Sequence, residues 1–433
     1  MGTLKFIKKE GSTNALRKSP LLGSSLATLG INKALPLHHG CQGCTAFTKN
    51  MLTAHFNEIV PIQTTASNDI ATIMSKSIIE EAVQNILSGI TPELIAVLST
   101  TLVETKGEDI AAEINDLATR LEQKVPVIYI NCSDYTGDAE NGFSNAIYEI
   151  AKNFAKNSKK KNKNINILTN FSTTCGDILQ LKEILRDFNL KGIFLPDITS
   201  LSGIQNNYYK LPTCETSLDD IGDLASSFTT ICIGQSMLKT AEYLKDNFDI
   251  PFSFFPSLTG VKYMDNFLNC LEEITGIDRL DKYKLERNIL IDSMLDCHFY
   301  TSNKYISIAA EPDLLFSLSY FLVEEMGSKL ETAITTNSSD IIESIPTPNV
   351  YVGDLDDLEK EMKKSELIIS NTNGLIASKK SEVPIYFAGF PVKNRFGYHL
   401  KNFIGYKGTR EFLFDITNIF FEREEEKSFM KIV

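Results

Sequence analysis

Short apolar runs of strand length recur along the chain, separated by stretches whose apolar residues fall at three- and four-residue steps. LIAVLST (94–100) and VPVIYIN (125–131) come first, then INILTN (165–170), KGIFLPDI (191–198) and FTTICIG (228–234). A third group is KYISIAA (304–310), ETAITTN (331–337), NVYVGD (349–354), ELIISN (366–371) and VPIYFAG (383–389). Runs that are apolar on both faces predict parallel strands buried between helices. DILQLKEILRDFNL (177–190) has the spacing of a crossover helix. The pattern predicts an α/β protein of three doubly wound, Rossmann-like parallel-sheet lobes, residues 1–163, 164–297 and 298–433. The first division falls in KNSKKKNKN (156–164), a polar, basic run with nothing to enter a core, and the second near DSMLDCHFY (292–300). The tail FFEREEEKSFMKIV reads as a charged terminal helix whose apolar residues dock on another lobe. Ligands of open α/β sheets sit beyond the carboxyl ends of the strands, so chemistry is expected in the loops there.

Composition narrows the function classes. A chain of 433 residues, 43% hydrophobic and 23% charged, has the length of about three domains. Its net charge of −12 argues against nucleic-acid binding, which draws on cationic contacts to phosphate, and suits a surface that meets other proteins. No run of about 18 apolar residues is present, so no membrane span is expected. The N-terminus has no signal-peptide core, and Lys5 and Phe6 make a poor context for myristoylation after Met-Gly. The eight cysteines are spread out, with only Cys41 and Cys44 close together, which fits reduced thiols in the cytoplasm.

Several motifs are missing: no phosphate-binding G-x-x-x-x-G-K-[ST], no G-x-G-x-x-G after a strand, no G-x-S-x-G elbow. Cys132 and Cys175 sit at strand ends, yet they read, like Cys214, Cys232, Cys270 and Cys297, as small buried hydrophobes. His298 and His399 are isolated and read as structural, and His55 falls in the helical segment after the cysteine pair.

The stretch LHHGCQGCTAF (37–47) holds the densest chemistry. Gly40 and Gly43 allow close approach of a bulky group, and TAFTKNMLTAHF reads as a helix with Cys44 near its N-terminus, where the dipole favours thiolate. A zinc site needs a second ligand pair that is absent here, and four ligands drawn from His38, His39, Cys41 and Cys44 would strain a tetrahedron. A 4Fe–4S cluster needs four cysteines, so another chain would have to supply the rest. The turn also precedes the first predicted strand, which does not suit a thioredoxin. The spacing alone leaves a redox dithiol, a shared cluster and inert thiols open.

The region KSPLLGSSLATLGINKALPLHHGCQGCTAFTKNMLTAHFNEIVPIQTTA resembles the N-terminal part of β-type subunits of nitrogenase component 1 and its relatives. LSTTLVETKGEDIAAEI, YTGDAENGF, CIGQS, MLDCHF, AAEPDLLF, VGDLDDLE and FAGFP continue the likeness in order over nearly the whole chain. TTLVETKGED and VGDLDDLE bring it nearest the branch that assembles the iron–molybdenum cofactor. The resemblance implies a nitrogenase component 1 type fold and an α₂β₂ assembly with an α-type partner. In catalytic β-subunits three cysteines hold an eight-iron cluster; here Ser19 and Leu102 stand at two of those positions and only Cys44 remains. The resemblance therefore implies that Cys44 is the fourth ligand of a 4Fe–4S cluster shared with three cysteines of the partner. Cys41, where serine is usual, is expected to be a bystander. The family further implies an iron–sulfur–carbide precursor held mainly by the partner, a precursor-delivery protein, and transient docking of the nitrogenase iron protein. TTASNDIATIMSKSIIEE (64–81) resembles the docking corner, with Asn68 and Asp69 expected to contribute. Two alternatives stay open: a β-subunit of a protochlorophyllide- or methylthio-alkane-reductase type enzyme, and a stand-alone thiol redox protein.

Overall fold

The computed structural model describes residues 2–7, 11–66, 70, 72, 78–120, 125–156, 162–202 and 210–430. A strand, β1 (Thr3–Phe6), opens the chain. β2 (Ala34–His39), β3 (Gln63–Thr64), β4 (Leu94–Ser99) and β5 (Val127–Asn131) form a parallel sheet in the order β3-β2-β4-β5. β6 (Ile165–Leu168), β7 (Gly192–Leu195), β8 (Thr229–Ile233) and β9 (Phe252–Phe255) form a second, ordered β7-β6-β8-β9. β10 (Tyr305–Ala310), β11 (Lys329–Thr335), β12 (Asn349–Val352), β13 (Leu367–Ser370) and β14 (Ile385–Phe387) join β1 in a third, ordered β1-β12-β11-β10-β13-β14. The predicted architecture of parallel sheets between helices is the one observed. β4, for example, is buried at all six positions, as a strand covered on both faces must be.

Each sheet reverses its winding once. From β2 the chain crosses to β3 on one side, and β4 then adds on the other; the same reversal occurs at β6/β8 and at β10/β13. Ligands of doubly wound sheets lie at these switch points, beyond the strands' carboxyl ends. The first switch point is where β2 runs into Gly40 and Cys41.

Packing departs from three independent lobes. The first two sheets share one continuous core, running from Leu21, Leu26 and Leu98 through Ile147 to Leu181, Ile231 and Phe267, while the third sheet has its own around Ile308, Phe321 and Phe412. The helix Pro20–Leu29 is buried along its whole length and lies against the helix Ala139–Phe154 with Gly23 and Gly142 at the crossing. A Cβ on Gly23 would fall 1.8 Å from the Ala139 carbonyl oxygen, so only glycine permits this approach. Burial of Leu21, Leu22, Leu26 and Leu29 contributes roughly 1.5–3 kcal/mol each.

Some boundaries differ from the sequence expectation. β1 lies in the third sheet, pairing in parallel with β12, not in the first lobe. Its mostly exposed residues close a sheet edge, which leaves little hydrophobic pattern to read. The helix Asp281–Thr301 runs unbroken through the 297/298 division. The terminal helix starts at Gly405, well before the expected tail, and buries Phe412, Leu413, Ile416 and Phe420 in the core of its own third lobe, not on another lobe. Most of KNSKKKNKN, with Asn68 and Asp69, lies outside the described residues. Among the described residues no helix is long and apolar enough to cross a membrane.

Candidate functional site

ALPLHH is the central strand β2, so the cysteine turn follows a strand instead of preceding the sheet. Pro36 obscured this reading. β3 pairs only with Leu37 and His38, leaving the earlier part of β2 as an open edge where proline is tolerated. Gly40 is held on both sides. Its carbonyl accepts from Thr64 Oγ1 at 2.8 Å and from the Ala66 amide at 3.3 Å. On the β4 side, Thr100 donates through both its amide (3.2 Å) and Oγ1 (3.1 Å) to the His39 carbonyl.

The helix Gln42–Phe56 starts immediately after, with Cys41 in extended conformation at its N-cap and Cys44 in the first turn. Cys44 is exposed, and its Sγ lies 3.8 Å from Sγ of Cys41, contact distance and too long for a disulfide. The amides of a first helical turn have no intrahelical partner, and with the helix dipole they favour an anionic sulfur there. Phe47, one turn further, is 61% exposed, and Tyr135, after β5, is 65% exposed. The thiol thus shares its side of the helix with the exposed ring of Phe47.

The two histidines are not available as ligands. His38 is fully buried, its Nε2 2.8 Å from Ser25 Oγ and its Nδ1 3.1 Å from Thr45 Oγ1, and burial pushes its pKa down to about 3. His39 holds Thr65 Oγ1 through Nδ1 (2.9 Å) and Glu108 through Nε2 (2.8 Å). Glu108 also pairs with Lys106, and these hydrogen bonds hold its carboxyl below the usual range despite partial burial. His55 accepts from the Val392 amide at 3.0 Å among the rings of Phe56, Phe390 and Tyr398, tying this helix to the third lobe, and burial lowers its pKa to about 3. His399 is buried beside Phe56, and His298 lies exposed on the helix Asp281–Thr301.

Other expected positions fall as follows. Ser19 caps the helix Pro20–Leu29, accepting from the Leu21 amide at 3.3 Å, and Leu102 is half-buried on the helix Thr101–Lys106. Cys132, Cys175, Cys232 and Cys297 are buried; burial pushes the thiols of Cys132 and Cys175 up to about 12. Cys214 and Cys270 are half-buried, both with raised pKa for the same reason. Among the described residues no three His, Cys, Asp or Glu side chains converge as a metal site. The soft donors of the turn are thus the thiols of Cys41 and Cys44, the type of ligand that an iron–sulfur cluster takes.

Sequence reading missed the supports of the turn, namely Ser25, Thr45, Thr65, Thr100 and Glu108, since hydroxyls at these spacings carry no pattern. It also missed a carboxylate cluster where the three sheets' carboxyl ends meet. Asp138 and Glu140, at the start of the helix Ala139–Phe154, face Glu311 and Asp313 after β10, all four buried. Asp313 accepts from the Gln235 amide (2.9 Å) and Ser236 Oγ (2.6 Å) of the second lobe, while Thr336 donates to Asp138. Desolvation raises all four carboxyls, Glu311 to about 7. The one visible signal was acidic residues directly after apolar runs, in TGDAE and AAEPD.

A twice-repeated switch-point geometry, a third parallel sheet and an outward cysteine at the first switch point define a class that direct comparison identifies. Residues 19–421 match the family described as nitrogenase component 1 type oxidoreductase, and the chain belongs to that family. Within it, the chain is similar to the nitrogenase iron–molybdenum cofactor biosynthesis protein NifN of Nostoc sp., 36% identical over 432 residues, covering 99% of this chain and 97% of the relative. It is 37% identical to NifN of Rhodobacter capsulatus, covering 96% and 93% of the two chains. A solved structure described as nitrogenase Cp1 at pH 6.5 superposes with a TM-score of 0.91 at 28% identity, covering 97% of this chain and 95% of that one. The chain is NifN-like, a β-type relative of nitrogenase component 1 as the resemblance implied.

Proposed function

We propose that this chain is a scaffold subunit for biosynthesis of the nitrogenase iron–molybdenum cofactor. It pairs with a NifE-like α-type subunit in an α₂β₂ assembly in the cytoplasm and closes an interfacial 4Fe–4S cluster through Cys44. The observation that carries this reading is the exposed Cys44 at the first switch point with only Cys41 close beside it, and no group of three ligating side chains among the described residues. A cluster bound there supplies one-electron chemistry. The work left to this chain's own residues is to present one sulfur at fixed geometry, to surround it with apolar surface such as Phe47, and to cover the partner. The cofactor precursor is held mainly by the partner, and the nitrogenase iron protein and a precursor-delivery protein dock transiently. The names of the two relatives compared above, both cofactor biosynthesis proteins, support the scaffold over a reductase subunit.

The test is the iron content and electron paramagnetic resonance signal of the co-expressed complex. Cys44→Ala is expected to remove the interfacial cluster's iron and its signal, and Cys41→Ala to keep both. Full iron in the Cys44→Ala complex would refute the assignment.

A further inference from the structure

The helix that carries Cys44 begins poorly. Its N-cap, Cys41, makes no side-chain capping bond, and its first turn contains Gly43, the residue least suited to a helix after proline. A first turn of this kind frays unless something outside it holds it. What reaches it is the ring of His38, which spans from the helix Pro20–Leu29 to Thr45, the residue next to Cys44.

The hydrogen bonding fixes the ring's tautomer. Ser25 Oγ has one proton, and it is given to the Leu21 carbonyl at 2.7 Å. Ser25 must therefore accept at 2.8 Å from His38 Nε2–H, which leaves Nδ1 as the acceptor for the Thr45 hydroxyl at 3.1 Å. The buried ring is a two-ended brace with its back on a helix that is itself buried throughout.

We propose that His38 is a positioning residue for Cys44, holding the first turn of the helix Gln42–Phe56 through Thr45 so that the sulfur keeps one orientation. The assignment rests on the reading of Cys44 as a cluster ligand only for its purpose; the brace itself is tested without a cluster. Asn at position 38 places an oxygen near Nδ1 and keeps the bond to Thr45, whereas Gln reaches toward Ser25 and loses it. In the full chain without metal, amide exchange at residues 43–47 is read by mass spectrometry. Thr45→Val and His38→Gln are expected to speed it roughly tenfold while residues 50–56 stay as in the wild type, and His38→Asn to restore protection. In the iron-loaded complex the same two variants are expected to broaden the cluster's paramagnetic signal without lowering its iron content. Wild-type exchange in Thr45→Val overturns the proposal even if His38→Gln fails to fold, and so does equal loosening by Asn and Gln. If Cys44→Ala keeps its iron while Thr45→Val loosens the turn, the ligand reading fails and the brace stands.

Discussion

Replacing Gly40 by alanine probes the anchoring of the cysteine turn most directly. A Cβ at this position would lie 2.4 Å from Cγ2, 2.5 Å from Oγ1 and 3.0 Å from Cβ of Thr100. Carbon atoms in comfortable contact sit about 3.5–4 Å apart, so the overlap is about 1 Å. Thr100 has little room to yield. It is β-branched, and both its amide and its hydroxyl are committed to the His39 carbonyl. Relief requires that the loops after β2 and β4 part and that Thr100 gives up a hydrogen bond to the His39 carbonyl that ties them. Overpacking costs about 1–3 kcal/mol, and a lost hydrogen bond adds about 1 kcal/mol. The sum, about 2–4 kcal/mol, corresponds to roughly 30- to 1000-fold easier opening of the turn.

Hydrogen exchange of peptides covering residues 36–47 and 96–104 reads this opening, with the distant strand β8 as internal control. Thr100→Ala removes two of the three contacts and leaves the one at 3.0 Å. The Gly40→Ala, Thr100→Ala double variant should therefore recover most of the lost protection. Wild-type exchange in Gly40→Ala, or a double variant no better protected than the single one, would refute the packing argument.

Two other outcomes follow from buried carboxyls. Burial raises Glu311 from its ordinary 4.5 to about 7, so between those values the folded state keeps a proton that the unfolded chain has released. Its contribution, about 3 kcal/mol, is complete below pH 4.5, falls as pH rises, and is gone above about 7. Glu311→Gln should flatten urea-unfolding stability between pH 5 and 8, and an unchanged slope would count against a protonated Glu311. Asp177 caps the helix Cys175–Asp187 and accepts from the amides of Phe403 (2.7 Å) and Ile404 (3.2 Å), binding the second lobe to the third. Asp177→Ala orphans those amides and should cost about 2–6 kcal/mol, whereas Asp177→Asn keeps an acceptor oxygen and should cost less; equal losses in denaturant titrations would argue otherwise.

Much of this fold is legible in the chain because buried parallel strands announce themselves: LIAVLS, INIL and LIIS are apolar at nearly every position and end in loops. β2 escaped because it carries Pro36 and two histidines, residues that suggest a turn and a ligand set until burial shows otherwise. β1 escaped because four mostly exposed edge residues have no pattern that separates them from a loop. The merging of the first two cores could not be read at all, since pattern gives each strand a buried face but not the partner that covers it.

The site was legible in a narrower sense. Two cysteines and two histidines in seven positions looked like one donor set, and folding divides them by chemistry. Alternation along β2 turns His38 and His39 to opposite faces of a covered sheet, where each imidazole is hydrogen-bonded at both nitrogens. The cysteines fall past the strand's end, where backbone leaves the sheet and faces outward. Proximity in sequence is thus a poor guide to shared function at a strand terminus: between His39, buried, and Cys44, exposed, the chain leaves a sealed environment within five residues. The histidines serve the cysteine by holding the frame around it, and a chain that lost His38 would be expected to keep its thiol but not its aim.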